Sequence, residues 1–284
     1  MIELKNLTKK FDDFTAVDHL NLRIETGEFF GLLGSNGAGK TTTISMISTV
    51  LLPTEGEVLI DGEKVTRKAS AQKRKISIVT QEYSMRQDMT MDEVMEYQGR
   101  LYYMSRGEIR RKTEELLDFA GLIEYRRRIV RHLSGGMKRK LMICRALMTD
   151  PRIILLDEPT AGMDAFARRQ MWELLRKLQR QNITIILTTH YIEEAEALCS
   201  RVAFLHRGKL DAVDSPGNLI CALGKFAVDE MDGSVQRSRF FADRAGAIAY
   251  LEQLDADAGA TLRRTTLEDV FVERIGKQNP AGIK

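Results

Sequence analysis

The apolar and polar positions change their period along the chain, and these changes predict alternating strands and helices. Residues 2–7 and 20–24 alternate as half-buried strands do. Continuous apolar runs predict fully buried strands at residues 28–33, 76–79, 153–156, 183–187 and 202–205. Apolar residues at helical spacing predict helices at residues 42–50, 134–148 and 164–178, and another from residue 193. Buried strands that alternate with amphipathic helices predict an α/β fold.

Residues 88–131 break this alternation, because they show helical spacing without a strand pattern. A helix predicted at residues 108–122 carries apolar residues on one face and charges on the other. Methionines crowd the start of the region, at Met85, Met89, Met91, Met95 and Met104. Methionine fills irregular cores and also lines adaptable binding surfaces. Two interpretations follow: core packing, or a docking surface on which Met85→Glu would leave the fold intact.

A second, smaller domain is predicted after Pro216, where the pattern starts again. Strands are expected near residues 225–229, 238–241 and 260–263, and helices at residues 245–254 and 267–275. The first domain would span residues 1–215, with a helical part near residues 88–150, and a small C-terminal α/β domain would span residues 216–284. No catalytic arrangement is visible in the second domain, and the chain from Gln278 is expected to be a frayed tail.

Composition and charge narrow the class of protein. Of 284 residues, 43% are hydrophobic and 29% are charged, as in soluble globular proteins. The 43 basic and 40 acidic residues give a formal charge of +3, too balanced to indicate nucleic-acid binding. The N-terminus alternates like a strand and unlike a signal peptide. No apolar run reaches the roughly 18–20 residues that span a bilayer, so a membrane role would need a partner.

The three cysteines give no sign of a disulfide framework or a zinc site. Cys144, Cys199 and Cys221 are far apart and lack metal-ligand spacing, which fits a reducing cytoplasm. Cys144 is expected to pack as a small apolar residue.

The predicted strand at residues 28–33 leads into a phosphate-binding pattern. Residues 34–41 read GSNGAGKT, an unbroken G-x-x-x-x-G-K-[ST] sequence between a predicted strand and a predicted helix. Glycines let the backbone wrap around a polyphosphate, and successive N–H groups and the helix start attract its charge. Lys40 is expected to reach the β- and γ-phosphates, and Thr41 to ligate Mg²⁺. A nucleoside triphosphate should therefore bind through Gly34, Ser35, Asn36, Gly37, Ala38, Gly39, Lys40, Thr41 and Thr42.

Two carboxylates stand at the end of another predicted strand. Asp157 and Glu158 follow the apolar run at residues 153–156, at the edge where open α/β sheets bind ligands. Strand alternation points the two side chains in different directions, so they can hold different roles. Acidic groups at such a place are costly to bury unless a metal or a proton transfer requires them.

Three weaker signals accompany these motifs. Ser134 is expected to cap a helix whose start, at Gly135 and Gly136, attracts anions. His190 follows a predicted parallel strand near the phosphate site, which favours a functional role over a structural one. Phe11 precedes the phosphate loop and either stacks on an adenine ring or packs in the core.

Taken in order, the phosphate loop, Gln81, LSGGM at residues 133–137, IILLDE at residues 153–158 and His190 resemble the ATP-binding subunits of ABC transporters. The resemblance is specific, because five separated motifs occur in the same order over the first three quarters of the chain. It implies a P-loop NTPase core with an antiparallel β subdomain and a helical subdomain. It also implies ATP and Mg²⁺ as ligands, and ATP hydrolysis as the reaction.

The resemblance assigns roles to individual residues. It implies that Phe11 stacks on adenine and that Gln81 senses Mg²⁺ and the attacking water. Asp157 would serve the Mg²⁺ ion, and Glu158 would act as the general base. His190 would contact the γ-phosphate as a switch residue.

The resemblance also implies partners. Two copies would pair head to tail, so that Ser134, Gly135 and Gly136 of one copy complete the ATP site of the other, with Asp164 in a loop that crosses the dimer. A separate transmembrane permease subunit would dock on the helical region, which would place the chain peripherally at the cytoplasmic face of the cell membrane. TLEDVF at residues 266–271 is similar to the end of multidrug and antibiotic-resistance (ABC-2 type) exporter ATPases, which implies export of a drug-like, lipid or other amphipathic substrate.

Two departures from the family pattern leave this chemistry intact. Ser35 stands where the family often has proline, and AGMD at residues 161–164 replaces SGLD. A competing function is that of a soluble relative that acts on DNA or ribosomes. Coiled-coil heptads, cysteine pairs and a second cassette are absent from the sequence, so nucleic acid is not an expected partner. An ATPase that serves an assembly scaffold without moving solute stays open.

Overall fold

The computed structural model describes residues 1–232, 235–254 and 259–276. The chain forms two compact units, one of Met1–His190 with Ala203–Ala212 and one of Tyr191–Val202 with Val213–Lys284. The domain boundary predicted between residues 215 and 216 stays a prediction. The frayed tail predicted from Gln278 lies outside the described residues.

The strands are β1 (Ile2–Phe11), β2 (Phe14–Ile24), β3 (Phe29–Leu33), β4 (Glu55–Ile60), β5 (Glu63–Lys64), β6 (Ile76–Val79), β7 (Ile153–Asp157), β8 (Thr184–Thr189), β9 (Arg201–His206), β10 (Lys209–Asp214), β11 (Phe226–Asp232), β12 (Val235–Phe241) and β13 (Thr261–Arg264). The helices are α1 (Lys40–Ile47), α2 (Ser70–Lys73), α3 (Met91–Leu101), α4 (Arg106–Phe119), α5 (Gly135–Leu147), α6 (Ala165–Gln179), α7 (Ile192–Leu198), α8 (Pro216–Leu223), α9 (Arg244–Leu251) and α10 (Leu267–Phe271). Short 3₁₀ turns lie at Ile123–Tyr125 and Val130–His132, and a π-type turn follows α10 at Val272–Gly276. The predicted α/β fold is confirmed.

A six-stranded sheet in the order β10-β9-β3-β8-β7-β6 carries the predicted motifs. The strands β3, β8, β7 and β6 are parallel neighbours, and every residue of β3, β7 and β8 is buried. Such strands need apolar residues on both faces, which explains the continuous apolar runs in the sequence. Their pairing aligns Leu33 with Thr189 and Asp157 with Thr188. The carboxyl ends of β3, β7 and β8 therefore meet at one edge.

A second sheet, antiparallel and in the order β2-β1-β4-β5, belongs to the same unit. Its β1–β2 hairpin turns at Asp12 and Asp13, so that Phe11 and Phe14 face each other across the strands. The tight turn brings two aromatic residues together at the end of this hairpin.

The region between β6 and α5 is helical, as predicted. Each of its two long helices begins with a capping box, Thr90 with Glu93 for α3 and Ser105 with Glu108 for α4. Most of the methionine cluster is interior: Met91 and Met95 are fully buried, and Met85 is only 9% exposed. The structure therefore favours core packing over docking for Met85, because a nearly buried side chain offers little surface to a partner.

The C-terminal unit holds a three-stranded antiparallel sheet in the order β12-β11-β13. Arg263 on β13 fastens the unit, since it donates to Asp229 at 2.6 Å and to Asp269 at 2.7 Å. Burial, the largest single influence, raises the pKa of both carboxyls. The hydrogen bonds and charge of Arg263, together with hydrogen bonds from Ser238 to Asp229 and from Thr266 to Asp269, outweigh it and hold each pKa below its usual value. Helix α8 was not predicted, although Pro216 at its first turn and the Ser215 cap are helix-start signals.

Candidate functional site

The phosphate loop fills the turn between β3 and α1. Gly39 caps α1 with a φ of +102°, and a Cβ there would lie 2.5 Å from the carbonyl oxygen of Ala16. A Cβ on Gly34 would lie 2.5 Å from the carbonyl oxygen of Leu205. The loop therefore requires glycine at both places, once for its conformation and once for close backbone approach. This geometry leaves the start of α1 open to an anion.

Lys40 lies inside the loop. Its side chain is 6% exposed, and its ammonium donates to the Gly34 carbonyl at 2.9 Å and to the Ser35 carbonyl at 3.2 Å. Burial lowers the pKa of Lys40, while the nearby carboxylates of Glu158 and Asp157 act in the opposite direction. The Lys40 Nζ atom lies 3.8 Å from Glu158 Oε1. A cation is thus held at the loop by main-chain oxygens rather than by a close ion pair.

Asp157 ends β7 beside the phosphate loop. It is 6% exposed, and its Oδ1 atom accepts from Thr41 Oγ1 at 3.1 Å and from Thr188 Oγ1 at 2.5 Å. The sequence reasoning did not single out Thr188, although it directly follows the strand predicted at residues 183–187 and precedes His190 by two residues. A hydroxyl and a nearly buried carboxylate form an oxygen donor set of the kind that Mg²⁺ prefers. The residues present therefore fit the ion that the sequence predicted.

Glu158 leaves the strand in an unusual backbone conformation. Its φ is +48°, in the left-handed region that disfavours most side chains, and its N–H donates to the Thr188 carbonyl at 3.0 Å. Its Oε2 atom lies 2.7 Å from His190 Nδ1, and its side chain is 12% exposed. The two acidic residues therefore point to different partners, as strand alternation predicted.

A cavity of about 220 Å³ opens over the phosphate loop. Its lining residues are Phe14, Ala16, Asn36, Gly37, Ala38, Gly39, Lys40, Thr41, Thr42, Gln81 and Glu158. Most of the predicted ligand-binding residues thus meet at one place. Phe11 does not line this cavity. It is 45% exposed, and the Lys9 ammonium nitrogen lies 5.0 Å from the centroid of the Phe11 ring. Phe14, its cross-strand neighbour, is the aromatic residue that lines the cavity.

The remaining predicted residues lie around a different cavity, of about 330 Å³. Ser134, Gly135, Gly136 and Asp164 all line it. Ser134 caps α5 by accepting from the Met137 N–H at 3.2 Å, and Asp164 caps α6 by accepting from the Ala167 N–H at 2.8 Å. The predicted cap at Ser134 is confirmed. One chain therefore carries two separate sets of candidate residues.

Burial explains the behaviour of Cys144. Its thiol is completely buried on α5, and burial raises its pKa to about 12. Such a thiol is inert, in agreement with the predicted packing role.

Comparison with known proteins places these features in context. A sequence profile described as ABC transporter matches residues 17–161. The Nod factor export ATP-binding protein I of Paraburkholderia xenovorans (strain LB400) is 36% identical over 297 residues, which cover 98% of this chain and 97% of that protein. The linearmycin resistance ATP-binding protein LnrL of Bacillus subtilis (strain 168) is 36% identical over 224 residues, covering 79% of this chain and 72% of that protein.

A solved structure shares the fold and part of the sequence. The dimeric post-hydrolysis state of the ATP-binding cassette MJ0796, bound to ADP and Pi, superposes with a TM-score of 0.68 at 32% identity. The match covers 76% of this chain and 98% of that chain. Within the described residues, every helix is too short or too polar to cross a bilayer.

Proposed function

The chain belongs to the ABC transporter family, as the ATP-binding and ATP-hydrolysing subunit of an exporter-type transporter. We propose that two copies of the chain close head to tail around two Mg-ATP. The observation that carries this proposal is the separation of the two cavities. The phosphate loop and Glu158 line one cavity, whereas Ser134 and Asp164 line the other. Each cavity holds half of the required residues, and a head-to-tail pair would join one half from each copy.

Within one site, the phosphate loop and Lys40 bind the phosphates of ATP. The α1 start and the loop N–H groups supply partial positive charge, and Lys40 supplies a full charge. Thr41, Gln81 and Asp157 would hold a Mg²⁺ ion, which would supply positive charge to the phosphates of ATP.

Glu158 is the general base. Its carboxylate accepts the proton of the attacking water, while His190 holds the Oε2 atom at 2.7 Å and so orients the group. The positive φ of Glu158 sets where the side chain leaves the sheet, which is consistent with strain retained at a functional position. His190 is 40% exposed, so it can also turn to the γ-phosphate.

The chain works as a dimer with a membrane partner, and we place it peripherally at the cytoplasmic face of the membrane, under a separate permease subunit. Its relatives include proteins named for Nod factor export and for linearmycin resistance. We therefore infer that the substrate is a drug-like, lipid or other amphipathic compound that is moved outward.

Replacing Glu158 with glutamine tests the proposal. Glutamine keeps the size and the backbone strain but cannot accept the proton, so the ATPase rate should fall by about 10²–10⁴-fold. Because Lys40, Thr41 and Asp157 remain, Glu158→Gln should still bind Mg-ATP and should accumulate as a dimer in size-exclusion chromatography.

The matched control is Glu173→Gln, an exposed position on α6, which should keep the ATPase rate of the unsubstituted chain. Near-normal hydrolysis by Glu158→Gln would move the base to another residue. A monomer at saturating ATP would remove the head-to-tail arrangement.

A further inference from the structure

Residues 80–89 lie between β6 and α3 and form no regular strand or helix, yet side chains of α5 hold their main chain. Arg139 donates from Nη1 to the Thr80 carbonyl at 2.6 Å and from Nη2 to the Gln81 carbonyl at 2.8 Å. Arg145 donates from Nη1 to the Ser84 carbonyl at 2.5 Å and from Nη2 to the Ser84 hydroxyl at 2.8 Å. The stretch at residues 80–84, here called the Gln81 segment, is therefore fastened to α5 at two levels.

Tyr83 adds a third attachment, at the start of the helix. Its hydroxyl donates to the Gly135 carbonyl at 3.3 Å, and its ring centroid lies 5.3 Å from the Arg139 guanidinium carbon. The Gln81 segment thus reaches from the first residue of α5 to its third turn.

Arg139 is a costly residue to place inside the protein. It is 2% exposed, and its Nε atom has no hydrogen-bond partner among the described residues. The Asp157 carboxylate attracts its charge but does not outweigh the effect of burial. Burial accordingly lowers its pKa. The desolvation of a buried charge is repaid only by good hydrogen-bond geometry, and an apolar residue of similar volume avoids this cost. Stability alone therefore does not account for an arginine here.

We propose that Arg139 is a positioning residue that couples Gln81 to the Ser134–Gly136 start of α5, an inference that rests on the proposed function of both groups. The planar guanidinium donates two parallel hydrogen bonds and so fixes both position and direction of the Gln81 peptide. When bound nucleotide draws Gln81 toward the phosphates, α5 moves with it. The helix start then reaches the ATP of the second copy only when Gln81 is engaged.

A double-mutant cycle on the full chain tests this coupling. Arg139→Met removes the guanidinium group but keeps a long unbranched side chain. We expect kcat for ATP hydrolysis to fall by about 10–100-fold, with KM for ATP changed by less than about threefold. In a Gln81→Ala background, Arg139→Met should change kcat by less than about twofold, because the Gln81 side chain that Arg139 positions is already absent. Additive losses in the two backgrounds would overturn the proposal.

Arg145→Met is the matched control. It removes the same kind of side chain from the same helix, but one that holds Ser84 rather than Gln81. We expect its kcat to stay within about threefold of the unsubstituted chain. A loss as large as that of Arg139→Met would show that packing of α5 is the cause, and the proposal would fail. If Arg139→Met does not fold, Arg139→Lys keeps the charge and loses the fork, and an unchanged kcat in that variant overturns the proposal.

Dimer formation gives a second readout that does not depend on turnover. In the Glu158→Gln background, Arg139→Met should still bind ATP but should fail to form the ATP-dependent dimer. If Glu158→Gln alone does not dimerise, the proposed function fails. If it dimerises with and without Arg139, only the role of Arg139 is refuted.

Discussion

Lys40→Ala is the perturbation that most directly tests the phosphate site. In the free protein the Lys40 ammonium donates to the Gly34 and Ser35 carbonyls, at 2.9 and 3.2 Å. We expect it to exchange these bonds for the phosphates of ATP. The substitution should therefore remove nucleotide affinity while the chain stays folded.

The size of the effect follows from the contacts. A hydrogen bond to a charged group contributes about 1.5–3 kcal/mol, so two such bonds contribute about 3–6 kcal/mol. Lys40 gives up two main-chain carbonyls on binding, which favours the lower figure. At about 1.4 kcal/mol for each tenfold change, ATP affinity should fall by at least about 100-fold. The substitution removes a desolvated cation from the folded state and leaves the two carbonyls unpaired beside an open cavity. The free energy of unfolding should therefore change by less than about 2 kcal/mol.

Titration calorimetry with ATP and thermal unfolding of the same sample measure the two quantities. Lys64→Ala is the matched control, because the Lys64 side chain is 58% exposed and pairs with Glu57 at 3.1 Å in the antiparallel sheet. A folded Lys40→Ala that binds ATP within about threefold of the unsubstituted chain would refute the reasoning.

Three further predictions concern other parts of the molecule. Phe14→Ala should weaken ATP binding by about 1–3 kcal/mol through lost stacking, and Phe11→Ala by less, because Phe14 lines the cavity; the opposite order in a binding titration would give the adenine role to Phe11. Met85→Glu should lower the unfolding free energy by about 2–4 kcal/mol because it buries a charge, and an unchanged thermal midpoint would restore the docking interpretation. Arg263→Met should destabilise the chain by about 1–3 kcal/mol at neutral pH, a figure reduced because a third of the side chain is exposed. Since Asp229 and Asp269 have lowered pKa values when folded, their stabilisation is present above the usual carboxyl pKa and is lost as the pH falls through the lowered values. In urea unfolding, the difference in unfolding free energy between the unsubstituted chain and Arg263→Met should therefore be smaller in acid than at neutral pH. An equal difference at both pH values would contradict this.

The parts of the fold that sequence reasoning predicted are those with a local signal. Buried parallel strands produce continuous apolar runs, and the phosphate loop needs its glycines at fixed spacing, so both were visible in the sequence. The cap at Ser134 was predicted for the same reason, since a cap is decided within four residues. Local chemistry was sufficient in each case.

The features that sequence reasoning missed depend on residues far apart in the chain. Thr188 reaches Asp157 across 31 residues, and Arg139 reaches Gln81 across 58. Strand β10 was missed because half of its residues are charged and none is fully buried, so it has no apolar run. Nothing in a single sequence states which distant carbonyl an arginine will hold.

The left-handed backbone at Glu158 has a consequence for how this chain can change over generations. A φ of +48° is easier for glycine or asparagine than for glutamate, so either replacement would relieve local strain. Neither side chain could reach His190 Nδ1, which Glu158 now meets at 2.7 Å. Variants selected only for thermal stability should therefore be enriched in glycine or asparagine at position 158, whereas variants selected for ATP turnover should keep the glutamate. A mutant library sorted separately for thermal stability and for ATP turnover should yield different residues at position 158.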